Sequence, residues 1–163
     1  MSEKLVKKIL AVVNGTEASL QSVEYAILLA KECHCAIKAV YVVDTTSIKK
    51  LQFAQIFHKE ESVEYIEDLT VNGSAYLDYV KELGNSKGVT VETVLREGTV
   101  WSEVVSQARE DKTNLILIGG TDYAGSMGKD PISETYRELL INAPCSVLMV
   151  REKAIDTLFK MVE

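Results

Sequence analysis

The chain has little of what specialised protein classes are built from. No segment approaches the ~20 consecutive apolar residues of a membrane-spanning helix. The apolar run near the N-terminus covers only residues 9–13, too short for the hydrophobic region of a signal peptide. Both shortages point to the cytoplasm and away from a membrane partner. Three cysteines, an odd number, give no disulfide framework, and reduced thiols suit that compartment. No basic cluster interrupts a net charge of −6, and an acidic surface repels the phosphate backbone, so nucleic acid is not the expected partner. The two histidines, His34 and His58, are not spaced to pair with a serine or cysteine, which leaves general acid–base chemistry without an agent.

What is present is regular. At 163 residues with 47% hydrophobic and 26% charged content, the chain is the size of one domain with a real core. Short apolar runs, KKILAVV and AIKAVYVVD, read as buried strands, GVTVETVL alternates as a strand does, and NLILIG and CSVLMV complete five. Between them lie helical spacings. Leu20, Val23, Ile27 and Ala30 form one stripe. Val63, Ile66, Leu69, Gly73, Tyr76, Val80 and Leu83 form a longer one, in which Gly73 costs roughly 1 kcal/mol relative to alanine. Trp101, Val104, Val105 and Ala108 follow Thr99, a fair N-cap, and Asp130-Pro131 opens the next helix. Residues 44–62 carry no clear pattern. The order β-α-β-α-β-α-β-α-β predicts an open five-stranded parallel sheet with helices on both faces, whose ligands bind beyond the carboxyl ends of the strands near a topological switch point.

One of those carboxyl ends holds Gly119, Gly120, Gly125 and Gly128, the composition of a phosphate loop. Two common motifs fail there. A Walker A loop ending in Gly128-Lys129 would need its first glycine at Tyr123 and a serine or threonine at Asp130. A dinucleotide fingerprint using Gly125 and Gly128 also needs a glycine at Tyr123. A tyrosine ring blocks the approach of backbone to phosphate that glycine permits.

Three segments carry a family resemblance. KKILAVVNGTEASLQSVEYAILLAKE resembles the opening of the universal stress protein (UspA-like) domain, REGTVWSEVVSQAREDKTNLILIGG its middle signature, and NAPCSVLMVR its last strand. The resemblance spans residues 6–151, which sets residues 1–151 as the domain and 152–163 as an amphipathic extension of it. It implies an adenine-nucleotide α-hydrolase-like, Rossmann-like fold and a homodimer paired through the last strand. By this resemblance the nucleotide place would fall on Asn14, Gly15, Thr16, Val42, Gly119, Gly120 and Ser133. ATP-binding members carry G-x2-G-x9-G-[S/T]. Here the second glycine falls on Asp122 or Tyr123, and the terminal pair on Ile132-Ser133 or Ser133-Glu134. The acidic residue that the family places after strand one is Asn14. Negative charge at Asp130 and Glu134 competes with phosphate for a helix N-terminus, and Lys129 is the one local cation.

The reading is therefore a non-catalytic regulatory or interaction module of this family, with no cofactor and no metal, its phosphate loop degenerate. The alternative is a nucleotide binder that holds ATP or AMP with magnesium in an altered loop. An enzyme of the wider fold would need a base that the sequence does not supply. Cys33-His34-Cys35 lacks the four ligands of a structural zinc site, and Ser126 in AGSMG lacks the first glycine of a nucleophile elbow. The expected partner is a second copy, through residues 145–151, an apolar strand at a sheet edge, and through the tail, where Ile155, Leu158, Phe159 and Val162 share a helical stripe.

Overall fold

A computed structural model describes residues 3–120 and 134–163. The strands are β1 (Lys8–Val13), β2 (Ala36–Asp44), β3 (Val91–Gly98), β4 (Leu115–Gly119) and β5 (Ser146–Val150). The helices are α1 (Glu17–Cys33), α2 (Thr45–Phe53), α3 (Lys59–Ser86), α4 (Val100–Asp111), α5 (Glu134–Asn142) and α6 (Ile155–Met161). Among the described residues all strand pairings are parallel and the order is β3-β2-β1-β4-β5, the open α/β sheet the alternation predicts. β1 is central and, after Lys8, wholly buried, which is why it reads as a continuous aliphatic run rather than an alternation. One face packs Ile9, Ala11 and Val13 against Val23 and Ile27 of α1 and Val80 of α3. The other packs Leu10 and Val12 with Ile116 and Ile118 against Val104 and Val105 of α4 and Leu139 of α5.

The helix ends follow local chemistry. Thr16 caps α1 by accepting from the Ser19 N–H at 3.1 Å, and His34 closes it in a left-handed conformation with φ 51°. This accounts for the Cys33-His34-Cys35 sequence as a helix end leading into β2. Thr99 occupies the N-cap of α4, but its hydroxyl pairs with that of Thr46 at 2.8 Å and makes no side-chain cap bond. Residues 44–62, patternless in sequence, contain α2, capped by Asp44, which accepts from the Ser47 N–H at 3.0 Å and from its hydroxyl at 2.7 Å.

The stripe on α3 starts one residue earlier than its aliphatic spacing predicts. Ser62 is buried, its hydroxyl donating to the His58 carbonyl at 3.1 Å, while Val63 is 51% exposed. Gly73 has a packing reason: a Cβ there would lie 2.5 Å from Cδ1 of Tyr41, so glycine lets the helix close onto β2.

The C-terminal helix belongs to this core. Ile155 and Phe159, one turn apart, are buried, while Leu158 and Met161 face outward. Lys87 lies over the Phe159 ring at 4.7 Å and donates to the Val162 carbonyl at 2.6 Å. Beside α6, burial raises the pKa of Glu24 from 4.5 to about 8, reinforced by a hydrogen bond with Asp156 and that residue's charge, and opposed by Lys160. In the unfolded chain Glu24 ionises near 4.5, whereas the folded chain keeps the proton up to about 8. Folding therefore takes up a proton across that window, and this group's contribution to stability falls as pH rises through it. Glu24→Gln is expected to flatten that slope and raise stability at pH 8 relative to the parent. Urea midpoints at pH 5 and pH 8 check it, and an unchanged pH dependence would refute it.

Candidate functional site

The sheet turns back between β1 and β4: successive crossovers run outward through β2 and β3, then return to β4 and β5. The carboxyl ends of β1 and β4 thus flank the switch point, where an open parallel sheet leaves a crevice. There the structure has a cleft of about 480 Å³, lined by Val12, Val13, Asn14, Thr16, Ala18 and Val42 and by Val100, Gly120, Thr135 and Tyr136. Pairing of β2 with β1 stops at Tyr41, while its pairing with β3 continues to Asp44. Val42 therefore extends past the end of β1, bordering the cleft.

The loop after β1 is tightly organised. The Asn14 side-chain oxygen accepts from the Thr16 N–H at 3.0 Å and from its hydroxyl at 2.6 Å, a local turn of the kind asparagine favours. Ser19 ties back to the Asn14 N–H at 3.3 Å and to the Thr16 carbonyl at 3.0 Å. Between them Gly15 has φ +81°, and a Cβ there would lie 2.7 Å from Cε2 of Tyr76. Tyr76 stacks on Tyr41 with ring centroids 6.4 Å apart, so α3 buttresses the loop from behind.

Gly119 and Gly120 also have roles independent of any ligand. A Cβ on Gly119 would meet the Ala18 carbonyl carbon at 2.6 Å, and one on Gly120 the Val150 carbonyl oxygen at 2.8 Å. The Gly120 N–H donates to that same oxygen at 2.9 Å. These glycines let β4 close against α1 and β5.

No charged side chain is among the described residues lining the cleft. The three helices that supply Thr16 and Ala18, Val100, and Thr135 and Tyr136 carry Glu17, Glu103 and Glu134 in their first turns. Those carboxylates oppose the attraction of the helix N-termini for anions. Glu103 is held by Arg96 at 3.0 Å. Burial raises the pKa of the Tyr136 phenol, so the ring is neutral at ordinary pH.

Sequence reasoning placed Asn14, Gly15, Thr16, Val42, Gly119 and Gly120 here. The structure puts Asn14, Thr16, Val42 and Gly120 in the cleft lining, with Gly15 in the loop and Gly119 packed behind it. Ser133 lies outside the described residues, as do Asp122, Tyr123, Ser126, Lys129, Asp130 and Pro131. Val100, Thr135 and Tyr136 were not foreseen. His34 and His58 cap α1 and α3, neither being in the lining. Among the described residues no group of three or more His, Cys, Asp or Glu could hold a metal ion.

Residues 6–151 match the universal stress protein family. The chain is similar to universal stress protein MJ0531 of Methanocaldococcus jannaschii, 32% identical over 92% of this chain and 85% of the relative. Among solved structures it resembles universal stress protein UspA from Lactobacillus plantarum, with TM-score 0.73 and 16% identity over 90% of this chain and 98% of that one. It also resembles the universal stress protein from Archaeoglobus fulgidus in complex with dAMP, with TM-score 0.60 and 13% identity over 91% of this chain and 100% of that one.

Proposed function

The chain belongs to the universal stress protein family, and on that premise we propose that it is a cytoplasmic, non-catalytic regulatory or interaction module that does not hold ATP-magnesium tightly. The observation that carries this reading is the electrostatics of the cleft. Its described lining is uncharged, and acids stand in the first turns of three bordering helices. A triphosphate gains its affinity from cations and unopposed helix N-termini. A neutral heterocycle with hydroxyls asks only for the valines, the Tyr136 ring and the polar groups of Asn14, Thr16 and Thr135.

The proposal includes self-association. Among the described residues β5 pairs with β4 alone, at the edge of the sheet, and Leu140 and Ile141 of α5 are 45% and 67% exposed. An apolar edge strand is satisfied by antiparallel pairing with its own copy about a twofold axis.

A second reading, nucleotide binding through an altered loop, is favoured by one observation. The stem of Arg151, a cationic residue, lies beside Gly120 of the cleft lining, its Cγ 3.2 Å from where a Cβ would stand. Titration calorimetry with ATP-magnesium and, separately, with adenosine separates the readings. The first expects no low-micromolar affinity for ATP-magnesium and no gain over adenosine. Low-micromolar ATP binding that weakens about tenfold or more in Arg151→Ala would replace it with the second.

A further inference from the structure

The α2–α3 region carries several exposed apolar groups and, along α3, a run of acids. Phe53 ends α2 at 91% exposure, Ile56 is 64% exposed in the turn that follows, and Val63 and Val71 on α3 are 51% and 68% exposed. Phe57 and Tyr65 meet edge to face with centroids 5.7 Å apart, which fixes the turn against the start of α3. Exposed apolar groups this large and this close in sequence are unusual for a surface with no partner.

Between positions 60 and 80, α3 carries six acids, Glu60, Glu61, Glu64, Glu67, Asp68 and Asp78, which outnumber the bases around them: Lys59 and Lys81 at the flanks of this stretch and Lys49 and Lys50 on α2. All six are exposed. None takes part in an ion pair among the described residues, where the four ion-pair contacts all involve Lys38 or Arg96. Glu60, Glu64, Glu67, Val71 and Asp78 recur at helical spacing, so they share the side of α3 opposite the buried Ser62, Gly73, Leu77 and Val80.

We propose that the α2–α3 surface is a docking site for a cationic amphipathic helical segment of another protein, its apolar stripe on Phe53, Ile56, Val63 and Val71 and its lysines or arginines on the α3 acids. Charge selects this occupant. A second copy of the chain would set these acids against the same acids. An anionic lipid surface or a nucleic acid is repelled by them. A basic helix gains on both counts, since its apolar anchors at three- and four-residue spacing suit a helix face and its charges speed and orient the encounter. The site lies on the covering helices rather than in the cleft at the strand ends, so its failure would leave the reading of the cleft untouched.

The test uses the full chain and a fluorescein-labelled helical peptide of leucine and lysine in amphipathic repeat, read by fluorescence anisotropy. The same peptide with glutamate in place of lysine is the control. The expected result is saturable binding of the lysine peptide that weakens with salt, and none of the glutamate peptide. Two double variants, F53S/I56S and E60K/E64K, are each expected to weaken binding about tenfold or more. The remote, charge-matched double E32K/E152K leaves it within about twofold of the parent. All six positions are exposed, and circular dichroism verifies each fold. Absence of binding, equal binding of the glutamate peptide, or equal weakening by the remote pair would overturn the proposal.

Discussion

Gly119→Ala is expected to destabilise the protein by about 3 kcal/mol, the upper end of what overpacking a core costs. The added Cβ would stand 2.6 Å from the Ala18 carbonyl carbon, 2.7 Å from its oxygen and 2.8 Å from the Ser19 nitrogen. All three atoms are backbone of the first turn of α1, so no side chain can swing aside. That turn is itself held by the Thr16 cap and by the Ser19 bonds to Asn14 and Thr16, so relieving the clash means moving the helix and its loop together. Gly88→Ala is the comparison. Gly88 has φ +71° and nothing within 4 Å, leaving only the left-handed backbone cost of about 1–2 kcal/mol. Urea unfolding of both variants ranks them, and a Gly88→Ala loss equal to or above that of Gly119→Ala would sink the argument. The result also bears on function, because a glycine demanded by packing is no witness to a phosphate.

That distinction marks the limit of what the sequence discloses. β1 and β4 are legible because strands buried on both faces must be aliphatic throughout, and α1 and α4 because their apolar spacing matches a helix. α2 was not legible, since Ile48 is its one buried residue and a single apolar contact makes no period. The stripe of α3 misleads at Val63 because the buried line passes through Ser62, a polar residue satisfied by the His58 carbonyl. In the cleft, Asn14, Thr16 and Gly120 could be placed because the family resemblance marks the segments that leave β1 and β4, and Val42 because it marks its strand. Val100, Thr135 and Tyr136 could not. They come from helices whose N-termini reach the switch point only once the order β3-β2-β1-β4-β5 is known, and that order is set by packing of distant segments rather than by local pattern. The tail was half legible: its stripe is real, but spacing alone does not say whether it faces its own core or a partner.

The structure answers for Ile155 and Phe159, and a large effect follows. Phe159→Ala is expected to cost about 3 kcal/mol, the lower end of the range for core phenylalanines, because the ring is 5% exposed but sits at the margin of the core. The variant also loses the contact with Lys87. A chain ending at Arg151 loses Ile155 as well. Burial of two such side chains contributes roughly 3–6 kcal/mol, offset in part by the ordering of the residues that carry them. Its urea midpoint should therefore fall at least as far as that of Phe159→Ala, and a truncated chain as stable as the parent would refute this account of α6. Self-association should respond differently. The edge strand β5 and the exposed Leu140 and Ile141 lie outside the tail, so light scattering is expected to find a dimer for the full chain at micromolar concentration. Phe159→Ala, under conditions where it remains folded, should be a dimer too, since its altered side chain faces inward. A monomeric full chain would overturn the pairing through β5. A folded but monomeric Phe159→Ala would show instead that α6 joins the interface, with Leu158 and Met161, its outward apolar groups, as the contacts.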